Sequence, residues 1–74
     1  MPQQSEWEAR VSGLLKVELK RKGVTYRQLA ERLEAMGVHE NERNLNNKIS
    51  RGGFTAGFLI MCLEAIAVET LYLR

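Results

Sequence analysis

The chain has 74 residues, 45% of them hydrophobic, and a net charge of +2, which suits one small globular domain and leaves disorder an unlikely default. A single cysteine excludes an internal disulfide, and one cysteine with one histidine is too small a ligand set for zinc. No run approaches the ~18 consecutive apolar residues of a membrane span: the longest candidate, "FLIMCLEAIAV", contains Glu64, and the polar start "MPQQSEWEAR" lacks a signal-peptide apolar core.

Four helices can be placed from capping punctuation and hydrophobic period. Ser5 and Glu8 make a Ser-x-x-Glu capping box, in which each side chain satisfies a backbone N–H at a helix start. Trp7, Val11, Leu14, Leu15 and Leu19 then recur at helical spacing and predict one buried stripe, with Trp7 as a core anchor. Lys20-Arg21-Lys22 suits the negative end of the helix dipole, and Gly23 is the expected stop. Thr25 and Gln28 form a second capping box and open a helix over about residues 25–36. Leu29, Ala30 and Leu33 are its inner stripe, extended toward Met36, and Gly37 followed by Val38 closes it.

Asn41 is a suitable N-cap for a third helix over about residues 41–51, with Glu42 at the positive end of its dipole. Leu45 and Ile49 lie four apart and are expected to face inward. Gly52-Gly53 break this helix and Thr55 caps a fourth. Phe58, Leu59, Met61, Cys62, Leu63 and Ile66 make the fourth helix apolar nearly all round, so it is central or half of an interface. The tail, residues 67–74, carries Val68, Leu71, Tyr72 and Leu73 and reads either as a short fifth helix or as an extended segment that pairs with a partner chain.

Two features set the third helix apart. The stretch "NERNLNNKISRGG" holds four asparagines and three basic residues around only two aliphatic ones. Asparagine is a mediocre helix former, and a face meant only for water is more stable with Glu, Lys, Gln or Ala. The charge is also uneven: from Lys16 to Arg51 there are nine Lys/Arg against five Glu, a net +4, which leaves −2 for the two ends together. Such a distribution fits a basic face that meets a polyanion.

"TYRQLA", the Gly37 break and a third helix ending in "KISRGG" resemble the lambda-repressor-like helix-turn-helix family. More closely, "NLNNKISRG" and "FTAGF" resemble a small bacterial domain family of unknown function. The first resemblance implies an all-α fold of four to five short helices, a single domain over residues 1–74, and DNA binding with the third helix in the major groove. One departure stands out. Ala30 and Gly52 lie 22 positions apart, a few more than in the usual motif, so the turn within "EAMGVHENE" or the helix before it is lengthened.

Asparagine offers a donor and an acceptor that match adenine N6 and N7, and arginine matches guanine O6 and N7. The expected base or groove contacts are therefore Arg43, Asn44, Asn46, Asn47, Lys48 and Arg51. The resemblance places the start of the second helix against phosphate, and its N–H groups and dipole favour an anion physically, which marks Thr25, Tyr26 and Arg27. Gly53 and Thr55, ahead of the fourth helix, are a second expected phosphate contact. Cys62 reads as an inert buried hydrophobe, and no cofactor, metal or small-molecule ligand is indicated. No nucleophile has an evident base and no phosphate loop occurs, so catalysis is not expected.

The expected function is that of a small sequence-specific transcriptional regulator of bacterial or phage type. It is expected to be cytoplasmic, to bind double-stranded DNA, and to form a homodimer through the 56–73 region. The rival is a protein-interaction module on the same fold without DNA binding, and a basic face of this kind also permits an RNA partner.

Overall fold

The computed structural model describes residues 5–73; residues 1–4, the first part of the polar start, and residue 74, the last of the tail, lie outside it. Four helices follow one another: α1 (Glu6–Lys22), α2 (Tyr26–Ala35), α3 (Glu42–Arg51) and α4 (Ala56–Ala65). The described residues contain no strand. Both capping boxes form. Ser5 Oγ accepts from the Glu8 amide at 3.1 Å while Glu8 Oε1 accepts from the Ser5 amide at 2.9 Å, and Thr25 and Gln28 repeat the exchange at 3.1 and 2.9 Å. Asn41 Oδ1 and Thr55 Oγ1 cap α3 and α4 by accepting from the amides of Asn44 and Phe58.

The core is one cluster drawn from all four helices. Leu15, Leu29, Leu33, Leu45, Ile49, Cys62 and Ile66 are almost wholly sealed from solvent, with Leu19, Val24, Phe58 and Leu63 close behind. α3 packs on α1 and α2, and α4 packs on α2 and α1. Arg32 of α2 donates to the Ala65 carbonyl at 3.2 Å, supplying a cation to the negative end of α4.

Helices α1, α2 and α4 end in the same way. The amide of Val24 bonds the Leu19 carbonyl, that of Val38 the Leu33 carbonyl, and that of Val68 the Leu63 carbonyl, each at 2.9 Å. In each case the preceding residue, Gly23, Gly37 or Ala67, has positive φ, and the valine folds back onto the core. α3 ends differently, with Gly52 at φ +73° donating to the Lys48 carbonyl at 3.3 Å. Gly52 is buried against the first turn of α1, where an added Cβ would fall 2.0 Å from the Glu8 carbonyl oxygen. Ser12 of α1 also donates to the Ser50 carbonyl, at 3.5 Å. The last turn of α3 is thus seated directly on α1.

Two details depart from the sequence-based expectation, and a third resolves an alternative it left open. Trp7 is 73% exposed and not a core anchor. It precedes Leu15 by eight positions, which at about 100° per residue turns it about 80° away from the buried line. Met36 is exposed too, because it lies past the last turn of α2. No fifth helix forms within the described tail: residues 68–73 lack regular structure, with Val68 and Leu71 against the core and Tyr72 and Leu73 exposed. The connection between α2 and α3 runs over residues 36–41, and α2 itself spans 10 residues.

Candidate nucleic-acid interface

α3 turns Leu45 and Ile49 inward and presents Arg43, Asn44, Asn46, Asn47 and Arg51 to solvent. Asn47 lies nearly opposite the two buried residues and forms the crest of the exposed face. Arg43 and Asn46 fall to one side of it, Asn44 and Arg51 to the other. Each side descends into a hollow of different chemistry.

The first hollow lies between α3 and the start of α2 and is lined by Tyr26, Asn41, Glu42, Arg43 and Asn46. The hydroxyl of the half-buried Tyr26 is hydrogen-bonded to Ser50, and Ser50 Oγ donates to Asn46 Oδ1 at 3.3 Å, which ties the entrance of α2 to the outer face of α3. Burial raises the Tyr26 phenol above its ordinary pKa, against a smaller opposing effect of the Ser50 bond, so the ring stays neutral at physiological pH. The capping box satisfies the amides of Thr25 and Gln28. Those of Tyr26 and Arg27 are the other two orphan donors of this helix start, where the dipole is positive. Thr25 and Arg27 are exposed beside them.

The second hollow, of about 580 Å³, is lined by His39, Glu40, Asn44, Asn47, Lys48, Arg51, Gly53 and Phe54. Here Lys48 makes two contacts within the protein: its ammonium donates to Glu40 Oε2 at 2.6 Å and sits 4.7 Å above the centre of the Phe58 ring, while its side chain stays partly exposed. The Glu40 side chain is only 14% exposed and keeps Lys48 as its counter-ion. This pair pins the connection between α2 and α3 to α3 and α4. Beneath it lies Cys62, whose thiol is pushed up to about 12 by burial and, secondarily, by the Glu40 charge, with Lys48 acting in the opposite sense. A thiol so placed stays protonated and unreactive.

Gly53 and Thr55 are both exposed. Thr55 Oγ1 is engaged as the cap of α4, accepting from Phe58 at 3.0 Å. Glu8 Oε2 lies 3.1 Å from where a Gly53 Cβ would stand, and a carboxylate there opposes a phosphate. The α2 entrance is the better anion site of the two.

Sequence reasoning missed three residues that line the second hollow, His39, Glu40 and Phe54, and it read Asn41 and Glu42 of the first only as helix-start residues. The signal for Glu40 was faint, since it lies eight positions before Lys48 and across a connection whose path no periodicity describes. Phe54 stands immediately before the Thr55 cap, where an apolar residue commonly braces a helix entrance, and that position was its available signal.

Among the described residues no helix is long and apolar enough to cross a membrane. No curated protein and no solved structure matches the chain. One family model does, over residues 7–71, a span that takes in all the helices except the first residue of α1, and both hollows. On that match the chain belongs to the family described as "Domain of unknown function (DUF6471)".

Proposed function

We propose that this protein binds double-stranded DNA, with α3 in the major groove and the start of α2 against the phosphate backbone, and acts as a small transcriptional regulator. The observation that carries this reading is the exposed row of Arg43, Asn44, Asn46, Asn47 and Arg51 on one helix, joined through Ser50 and Tyr26 to an open helix N-terminus. A helix of about 10–12 Å diameter fits a major groove about 12 Å wide. The amides and guanidinium groups supply the donor and acceptor pairs that base edges present. Thr25, Tyr26 and Arg27 serve the backbone, which fixes register without reading sequence. Lys48 is left out of the contact set because Glu40 and Phe58 hold it.

One copy of so small a domain meets few base pairs, and operator-binding helix-turn-helix proteins commonly act as dimers. The surface offered to a second copy is the groove of Leu59, Ile60, Leu63, Val68 and Leu71, edged by Glu64 and Glu69 and beside exposed Tyr72 and Leu73. The same apolar surface also favours the second reading, a protein-interaction module, in which it meets a different protein and α3 meets nothing.

Fluorescence anisotropy with mixed-sequence duplex separates the two. DNA binding predicts measurable affinity that falls steeply as salt rises, because each neutralised phosphate adds about 0.9 to the slope of log K against log salt. It also predicts that the double variant Arg43→Ala/Asn47→Ala loses sequence preference while keeping its helical circular dichroism. Absence of binding at low salt, or an unchanged preference in the double variant, contradicts the reading.

A further inference from the structure

Resting on the DNA reading, we infer that Phe54 determines part of the sequence specificity by recognising the 5-methyl group of a thymine, so that the preferred duplex carries an A·T pair beneath the second hollow. Phe54 lies in the turn between α3 and α4 and shares that hollow with Asn44, Asn47 and Arg51. It is only half-buried, so part of its surface meets solvent beside the amides.

The ring is held in place. Its centre is 5.2 Å from that of Phe58, with the planes inclined at 53°. Phe58 is itself buried and capped by Lys48, which Glu40 anchors. An apolar contact backed in this way loses little freedom when it meets a ligand. The Lys48–Glu40 pair also neutralises the carboxylate that lines this hollow, so a polyanion approaching it finds no uncompensated charge from Glu40.

The chemistry of the groove selects the occupant. The thymine methyl is the apolar group that major-groove edges display, and adenine beside it offers the N7 acceptor and N6 donor that an asparagine matches. An apolar ring next to asparagine amides therefore complements both members of one A·T pair. A G·C pair in that place presents no methyl group and meets the ring with a polar edge. Phe54 also precedes the α4 cap and braces that helix, so stability and methyl recognition must be read separately.

The test uses the whole protein and the duplex recovered by selection from a random library, prepared once with thymine and once with uracil. Uracil keeps every hydrogen-bonding group of thymine and lacks the methyl. The wild type should bind the thymine form about fourfold more tightly per recognised methyl, the value of burying one such group. Substituting uracil one position at a time should confine the loss to particular thymines, and Phe54→Ala should bind both forms alike. Equal wild-type affinity for the two forms overturns the inference and leaves DNA binding standing, as does a thymine preference that survives in Phe54→Ala. No binding to any duplex overturns the DNA reading and this inference together. The wild-type comparison needs no variant, so a poorly folded Phe54→Ala does not protect the claim.

Discussion

α3 is unlike the other three helices at its end and on its surface. α1, α2 and α4 each close with a left-handed residue and a valine that returns to the core. α3 closes on Gly52, pressed against the Glu8 carbonyl, and continues into Gly53. α4, of the same 10-residue length, buries Phe58, Cys62 and Leu63 and still shows Ile60 to solvent. α3 buries only Leu45 and Ile49 and shows arginine and amides. The valine closures are general-purpose stops. The glycine closure is a fitted joint, and it fixes how far the polar face of α3 stands from the body.

Breaking that joint should produce the largest effect. Gly52→Ala places a methyl 2.0 Å from a backbone oxygen at a φ of +73°, where neither the oxygen nor the helix can retreat cheaply. A loss of at least about 3 kcal/mol is expected from the overlap and the left-handed strain together, enough to unfold much of a marginal domain. Gly37→Ala, at φ +83° with nothing within 4 Å of the new methyl, should cost only about 1 kcal/mol. Chemical denaturation of the two variants checks the contrast.

The interior of α4 gives an alkaline signature. Cys62 has its thiol raised from 9.0 to about 12 in the folded protein. Below pH 9 both states keep the proton, so the group contributes no pH dependence there. Above pH 9 the unfolded chain releases it first, and stability should fall by about 1.4 kcal/mol per pH unit until the folded thiol also ionises near pH 12. Cys62→Ala should remove that slope between pH 9 and pH 10, at some cost in packing, when urea unfolding is followed; at higher pH the raised Tyr26 phenol adds a loss of the same sign.

Ala67 is the one valine-type closure without glycine, at φ +59°. Ala67→Gly should relieve the left-handed strain and stabilise the fold by up to about 1 kcal/mol, seen as a rise in thermal midpoint. The smallest effect separates Lys48 from Arg43. Arg43→Ala should reduce the salt slope of DNA binding by about 0.9 if Arg43 meets a phosphate in the complex. Lys48→Met should weaken the fold around residues 36–41 and leave the slope nearly unchanged. Equal changes in slope would make Lys48 a phosphate contact after all.

Where helices begin was legible because the signals are local. Ser5 with Glu8, Thr25 with Gln28, Asn41 and Thr55 act on amides three residues away, and each does so in the structure. The inward faces of α2 and α3 followed from spacing for the same reason. The end of α4, closed by Ala67 without a glycine, carried no such signal. Trp7 misled because it was grouped with the buried stripe although its direction lies about 80° from that of Leu15. Glu18 was equally hidden: it is buried in α1 with Arg21 Nε donating to it at 3.0 Å, a pairing that a helical wheel reads as two solvated charges. The exposed row on α3 was legible residue by residue. The two hollows were not, because each joins α3 to residues whose approach depends on the course of a connection.

The central claim is that the crest of α3 and the entrance of α2 meet duplex DNA together. Heteronuclear NMR on labelled protein titrated with the selected duplex tests it most directly. The account predicts that the side-chain amides of Asn44, Asn46 and Asn47 and the backbone amides of Tyr26 and Arg27 shift together at one stoichiometry. Shifts confined to Ile60, Leu71 and Tyr72, or no shifts at low salt, would contradict it.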